Sequence, residues 1–291
     1  GVVGRETAAA LLAAGHSVAS VNRSAATSPG VRSIVADLRE PDEVRRALAG
    51  AAVAYLTAGL PYRTAVWHRD WPRIMRGTIE ACLADGIRLV YFDNVYAYGK
   101  VDGPMTEATP IRPTSRKGTI RAELLQMLDV AAARGLDYTI GRSADFYGPG
   151  ATTSVFNGMA LEKIAAGKKP TWLLDATRPH SMTYTPDIGR ALAILGTDER
   201  ATGRPWHLPT APALTGQEYL ALAGAARHTT MSLATLRIGA IFVPDAREAL
   251  ELSYQNTEPY LFDSAQFEST FGSAPTPYRA GITAALAAAR Q

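Results

Sequence analysis

Gly1-Val2-Val3-Gly4-Arg5-Glu6, continued by Thr-Ala-Ala-Ala-Leu-Leu-Ala-Ala to Gly15 and by His-Ser-Val-Ala-Ser-Val-Asn over 16–22, decides the reading of this 291-residue chain. From Arg5 the stretch is Ala-rich and Leu-bearing, with Gly15 as a stop, so a helix is expected. Residues 16–22 read as a short strand. Gly-x-x-Gly opening a helix that leads into a strand is the back half of a dinucleotide-binding turn. Gly1 and Gly4 let the backbone approach a pyrophosphate, and the free N–H groups of the first helical turn face its charge. A buried strand and one further glycine are expected upstream of Gly1.

The next strand end supplies a second cue. In a dinucleotide fold this position reads the adenosine ribose, and an acidic residue there favours a free 2′-hydroxyl. Here it is Asn22-Arg23-Ser24. An arginine and a hydroxyl suit a 2′-phosphate through charge-assisted hydrogen bonding, so NADP(H) is expected over NAD(H). The alternative for Arg23 is a solvated loop charge.

Outward from this turn, strands and helices alternate. Strands are expected at 33–36, 52–57, 87–92 and 136–141, and helices at 41–50, 67–85 and 120–134, closed by Gly50, Gly86 and Gly135. The expected fold is α/β: a Rossmann-type, doubly wound parallel sheet with right-handed crossovers and a smaller C-terminal substrate lobe. Residues 1–150 form the dinucleotide-binding domain. Residues 151–291 form most of the lobe, interwoven with the sheet, with helices at 156–166, 186–196, 216–228 and 279–290 and a strand entering a loop at 205–209. The ligand of such a sheet lies across the carboxyl ends of its strands, which points to Arg23, Asp37, residues 57–59, Asp93-Asn94 and Arg142-Ser143.

Composition narrows the function classes. Apolar residues make up 47% and charged residues 20%, which supports a sizeable core. Thirty Lys and Arg against 27 Asp and Glu, scattered rather than clustered, give no electrostatic footprint for nucleic acid. The single Cys82 excludes an internal disulfide and reads as packing. His16, His68, His180, His207 and His228 are not spaced as a metal pair. No apolar run reaches the ~18 residues of a membrane span. A cytoplasmic protein acting on a small molecule is expected, and a homodimer is one expectation for its assembly. Trp67 and Trp71, four apart, read as packing; Trp172 and Met182 are candidates to line an apolar pocket.

In order along nearly the whole chain, Gly1-x-x-Gly4, Asp37-Leu38, Val95-Tyr96-Ala97-Tyr98-Gly99, Glu107-x-x-Pro110-x-x-Pro113, Phe146-Tyr147-Gly148-Pro149-Gly150 and Tyr184-Thr185-Pro186-Asp187-Ile188 resemble the extended short-chain dehydrogenase/reductase superfamily of the NAD(P)-dependent epimerase/dehydratase type. The resemblance implies that Asp37 and Leu38 contact the adenine. It sets Thr57, Ala58 and Gly59 near the second ribose, and 141–144, with Ser143, beside the nicotinamide.

The departures carry as much information. The family has Ser or Thr four residues before its Tyr-Gly pair; here that residue is Asn94. Its acid/base Tyr, four residues after the Pro of the turn, is Lys117, and the Lys of Tyr-x-x-x-Lys is Arg121. A lysine desolvated beside another cation can act as a general acid near neutral pH, and Arg121 is one helical turn from Lys117. Asn94 could donate its amide to the substrate oxygen. The alternatives are a solvated Lys117 at a helix start, Arg121 as a surface charge or a cofactor-ribose contact, and Asn94 as a turn cap. The expected activity is NADP(H)-dependent reduction of a ketone on a small molecule, such as a secondary metabolite. A non-redox isomerase or lyase using Lys117, or a catalytically silent NADP sensor, are the competing readings.

Overall fold

The computed structural model describes residues 1–25 and 28–291. The chain runs α1 (Val2–Ala13), β1 (Val18–Asn22), β2 (Val31–Val35), α2 (Pro41–Leu48), β3 (Val53–Leu56), α3 (Thr64–Asp85), β4 (Arg88–Asp93), α4 (Arg116–Ala132), β5 (Tyr138–Arg142) and β6 (Asp145–Tyr147). A π-helical turn (Asn157–Leu161) leads into α5 (Glu162–Ala165), followed by β7 (Thr171–Leu173), β8 (Pro179–His180), β9 (Met182–Tyr184), α6 (Thr185–Thr197) and β10 (Pro205–His207). The remainder is β11 (Leu214–Thr215), α7 (Gly216–Leu222), β12 (Thr229–Met231), α8 (Leu233–Phe242), α9 (Pro244–Leu250), α10 (Ala265–Phe271) and α11 (Tyr278–Ala289).

The central sheet has the order β10-β5-β4-β3, and every neighbouring pair in it is parallel. Its strands show why it must be covered on both faces. Ala54 and Leu56 of β3 and Leu89 and Tyr91 of β4 join the core beneath α3 and α4, whereas Val53, Tyr55, Val90 and Phe92 join the core beneath α6 and α1. The period of two sends alternate residues to opposite helix layers, as a buried parallel sheet requires. The parallel pair β1–β2 stands as its own two-stranded sheet. Among the described residues β1 and β3 exchange no ladder bonds.

The second half of the chain contributes to both parts of the molecule. β10 extends the central sheet beside β5, and α6 packs on α1. Tyr147, Phe156, Leu161, Trp172, Met182, Tyr219 and Ile282 form a separate aromatic-rich core. Trp172 and Met182, candidates for a pocket lining, are buried in it.

Several element boundaries differ from the sequence expectation. α1 starts at Val2 rather than Arg5, α3 at Thr64 rather than 67, and α4 at Arg116 rather than 120. For α4 the cause is Ser115, whose Oγ accepts the Gly118 amide at 3.0 Å and caps the helix. α7 stops at Leu222 instead of reaching 228, with Gly224 just beyond it at φ 82°. The helices α8 and α9 match no sequence expectation. Among the described residues no helix is long and apolar enough to cross a membrane, and no cluster of three or more His, Cys, Asp or Glu could hold a metal ion.

Candidate active site

The carboxyl ends of β3, β4 and β5 and the start of α1 meet at one edge of the central sheet. Gly4 shows how closely. A Cβ on Gly4 would lie 2.9 Å from Thr57 Oγ1, so the first turn of α1 abuts the chain leaving β3 at a distance only glycine allows comfortably. No acidic residue occupies the first turn of α1. The first-turn amides of a twelve-residue helix without an acidic residue beside them, with Gly4 allowing the close approach to Thr57, fit a diphosphate. Thr57 and Ala58 are half-buried, and Gly59 is exposed.

At the adenosine end Arg23 and Ser24 are exposed, while the Asn22 side chain donates to Ser20 Oγ at 2.8 Å. Asp37 is engaged by Arg39, whose Nε is 2.9 Å from Oδ1. Hydrogen bonds from the Arg39 side chain and backbone, with Arg23 adding a longer-range attraction, outweigh desolvation and bring Asp37 down to about 2. Arg39 therefore already occupies much of the carboxylate that the resemblance assigns to adenine. Leu38 packs against the core beneath α3.

At the end of β4, Asn94 Oδ1 accepts the Tyr96 amide at 3.0 Å, a turn-capping bond, while its Nδ2 has no protein partner among the described residues. Both readings of Asn94 are thus compatible in one side chain. Ser143, buried, donates its amide to the Asp93 carbonyl at 3.2 Å and ties the ends of β4 and β5 together.

Lys117 is 0% exposed, not a solvated charge at a helix start. Its helix can approach the Tyr96 turn because the next residue is Gly118, where a Cβ would lie 2.4 Å from Tyr96 O. The Lys117 ammonium pairs with Glu248 Oε2, lies 2.9 Å from Glu251 Oε1 and 3.2 Å from Thr64 Oγ1, and sits 4.3 Å from the centre of the Tyr62 ring. Glu248 also accepts the Thr64 amide at 3.1 Å and its hydroxyl at 2.6 Å. Desolvation pushes the Glu248 carboxyl upward, but the bonds from Lys117 and Thr64 prevail and hold it at about 2. The expectation of a cationic neighbour for Lys117 is corrected: its partners are two carboxylates.

Arg121 lies in the layer between α3, α4 and the sheet rather than on the helix surface. Its guanidinium carbon is 4.7 Å from the Trp67 ring centre and 4.4 Å from that of Trp71, and it hydrogen-bonds the Tyr91 hydroxyl. A planar cation stacks well in such a slot. Its Nε has no hydrogen-bond partner and lies 3.8 Å from Asp93 Oδ1, which has none either. Asp93 Oδ2 accepts from Arg142 Nε and Nη2, both at 3.2 Å. Arg142 Nη1 donates to the Tyr98 hydroxyl at 2.6 Å, and that hydroxyl is 2.7 Å from His207 Nε2. Burial, then Arg142, depress His207 to about 3, so the ring is neutral. His207 Nδ1 then donates to the Asp263 carbonyl at 2.7 Å.

Sequence reasoning missed Tyr62, Thr64, Glu248, Glu251 and Arg39. Glu248 and Glu251, three apart, carry a faint helical signal, but nothing in the sequence names Lys117 as their partner. His180 is buried in β8 with Nε2 3.0 Å from Asp145 Oδ2 and its ring stacked on Tyr260.

Solved structures similar to this chain share its fold. MoeE5 in complex with UDP-glucose and NAD aligns at 22% identity over 100% of this chain and 96% of that one, with a TM-score of 0.79. The UDP-glucose 4-epimerase of Thermus thermophilus, in complex with NAD, aligns at 18% over 99% and 96%, with a TM-score of 0.78. The DesIV double mutant, a dTDP-glucose 4,6-dehydratase from Streptomyces venezuelae with NAD and DAU bound, aligns at 19% over 100% and 94%, with a TM-score of 0.77. No curated protein matches the chain in sequence. The model of the NAD dependent epimerase/dehydratase family matches residues 1–207, most of the chain, and the chain belongs to that family.

Proposed function

We propose that this protein is an NADP(H)-dependent oxidoreductase that reduces a ketone on a small-molecule substrate. The observation that supports the reading is that Lys117, at the position the resemblance assigns to the acid/base, is buried and the next residue, Gly118, abuts the Tyr96 turn that follows β4. The dinucleotide diphosphate would lie on the first-turn amides of α1, with Thr57, Ala58 and Gly59 along the second ribose and Ser143 beside the nicotinamide. Exposed Arg23 and Ser24 would receive a 2′-phosphate, and no carboxylate of 22–24 opposes it. The similar structures are described with NAD; the basic strand end of this chain supports NADP.

When bound, the nicotinamide supplies the hydride. Lys117 holds a proton at Nζ and delivers it to the substrate oxygen. The free Nδ2 of Asn94 donates to the same oxygen and stabilises its developing charge. Arg121, fixed by Trp67, Trp71 and Tyr91, acts through packing and through Asp93 rather than as a direct contact to the ribose.

Titration with NADPH and NADH, read by tryptophan emission, comes first, with tighter NADPH binding expected. NADPH oxidation across a panel of ketones follows. Lys117→Met is expected to lower turnover by about 10²–10⁴-fold, the usual share of acid catalysis, while NADPH affinity stays within a few-fold. Binding of NADPH without oxidation across the panel would overturn the reductase reading. A borohydride-trapped carbonyl adduct on Lys117 would replace it with the isomerase or lyase reading.

A further inference from the structure

Lys117 can meet a substrate only if something moves, because its ammonium is fully enclosed. What encloses it is a segment more than 130 residues away in sequence: α9 and the turn following it, carrying Glu248 and Glu251. The two carboxylates satisfy an entire set of donors. Glu248 takes the Thr64 amide at the start of α3, the Thr64 hydroxyl and Lys117. Glu251 takes Lys117 and the Arg116 amide at the start of α4, at 3.1 Å, with Arg116 Nε at 3.4 Å. Two helix starts, a buried ammonium and a guanidinium are all anion-seeking groups. Arg247 of α9 donates to the Ala240 and Ile241 carbonyls of α8, at 3.1 and 3.4 Å, so the segment is tied to a helix whose own end is open, Ile241 being 67% and Phe242 79% exposed.

We propose that α9 and the turn after it form an acidic strap that closes the resting site, the Glu248 and Glu251 carboxylates standing in for an anionic group of the substrate. The proposal rests on the reading of Lys117 as the proton donor. Lifting the strap exposes Lys117, takes the carboxylate partner from the already exposed Arg116, and leaves Asp93 occupied by Arg142. A substrate bearing a carboxylate or phosphate next to its ketone restores the lost pairing. A neutral substrate leaves the ammonium bare and binds only at the cost of breaking both ion pairs. The strap therefore selects acidic ketones and excludes neutral ones.

Hydrogen–deuterium exchange on the full chain tests this without relying on turnover. In the Glu248→Gln/Glu251→Gln variant, amides of 246–256 should exchange about tenfold faster, while those of 88–93 and 138–142 keep the wild-type rate. Glutarate and inorganic phosphate are the anionic probes, and glutaramide is the neutral control. Glutarate or phosphate should speed exchange of 246–256 in wild type, whichever acts naming the anion class, and glutaramide should not. Unchanged exchange in the double variant overturns the strap. Equal effects of glutarate and glutaramide, or no effect of either anion, overturn the selection of acidic substrates. These readouts contain no hydride transfer, so they can fail while Lys117 remains the donor, and can hold if NADPH oxidation is never seen.

Discussion

Replacing Asp93 by Ala removes the carboxylate between two buried guanidiniums. Asp93 is 1% exposed, Arg142 2% and Arg121 6%. Arg142 makes two hydrogen bonds to Asp93 Oδ2, and Arg121 Nε stands 3.8 Å from Oδ1. Without the carboxylate, two like charges remain in a region from which water is excluded. Breaking a buried pair by removing one partner costs about 3–5 kcal/mol. For a chain of this size each kcal/mol lowers Tm by about 2–4 °C, so Asp93→Ala should melt about 10 °C below wild type. Asp93→Asn keeps one oxygen for Arg142 and should lose less. The cause is isolated by repeating Asp93→Ala in an Arg142→Met background, where one stranded cation is gone and the loss should shrink. Thermal unfolding followed by circular dichroism measures each of these proteins. An Asp93→Ala chain that melts within about 2 °C of wild type, less than the shift expected of a single kcal/mol, refutes the pairing argument. So does a loss that is the same with and without Arg142.

Gly4→Val drives a branched side chain into Thr57 Oγ1; dinucleotide affinity should fall tenfold or more while the melting temperature of the apoprotein changes less, as measured by fluorescence titration and calorimetry. Arg23→Glu should weaken NADPH by about 10–100-fold, the worth of roughly 1.5–3 kcal/mol for a bond to a charged group, and leave NADH within a few-fold; equal losses for both would remove Arg23 from the 2′-phosphate site. Glu248 has its carboxyl lowered from 4.5 to about 2, so its stabilising contribution is complete above pH 4.5 and is lost as pH falls toward 2. By linkage the stability gap between wild type and Glu248→Gln should therefore be widest near neutrality and close in acid; a gap independent of pH would deny the ion pair.

The central architecture is legible because its signals are local. A parallel sheet between two helix layers writes itself as apolar runs alternating with Gly-terminated helices, and β3, β4 and β5 lie close to where the pattern sets them. Short-range cues also locate Gly4, which the structure sets against Thr57 at the end of β3. What is not legible depends on contacts between distant segments. Lys117 reads as a helix-start charge until Glu248 and Glu251 are brought to it. Arg121 reads as a surface residue until Trp67 and Trp71 close around it. The start of α4 escapes the sequence because Ser115 caps onto a glycine amide with no acidic residue at the third position to complete a capping box. β6, β8, β9 and β11 have two or three residues each, too short for any periodicity to register.

Two of the departures from the family pattern, those at 117 and 121, belong to one rearrangement. An arginine at position 121 is longer and flatter than a lysine, and its guanidinium is held by two indoles and a phenol in the helix–sheet layer. Its charge there is balanced by Asp93, which in turn holds Arg142 against Tyr98. The cation that assists a tyrosine acid in ordinary members is therefore committed to the interior, where it can do little for a phenol at position 117. A lysine at that position places an ammonium in the interior, and a buried ammonium with no partner is costly. Glu248 and Glu251 remove that cost in the resting protein. The lysine at 117, the inward arginine at 121 and the two carboxylates that meet the lysine thus form one set of charges, and removing both carboxylates together leaves the Lys117 ammonium buried without a counter-charge.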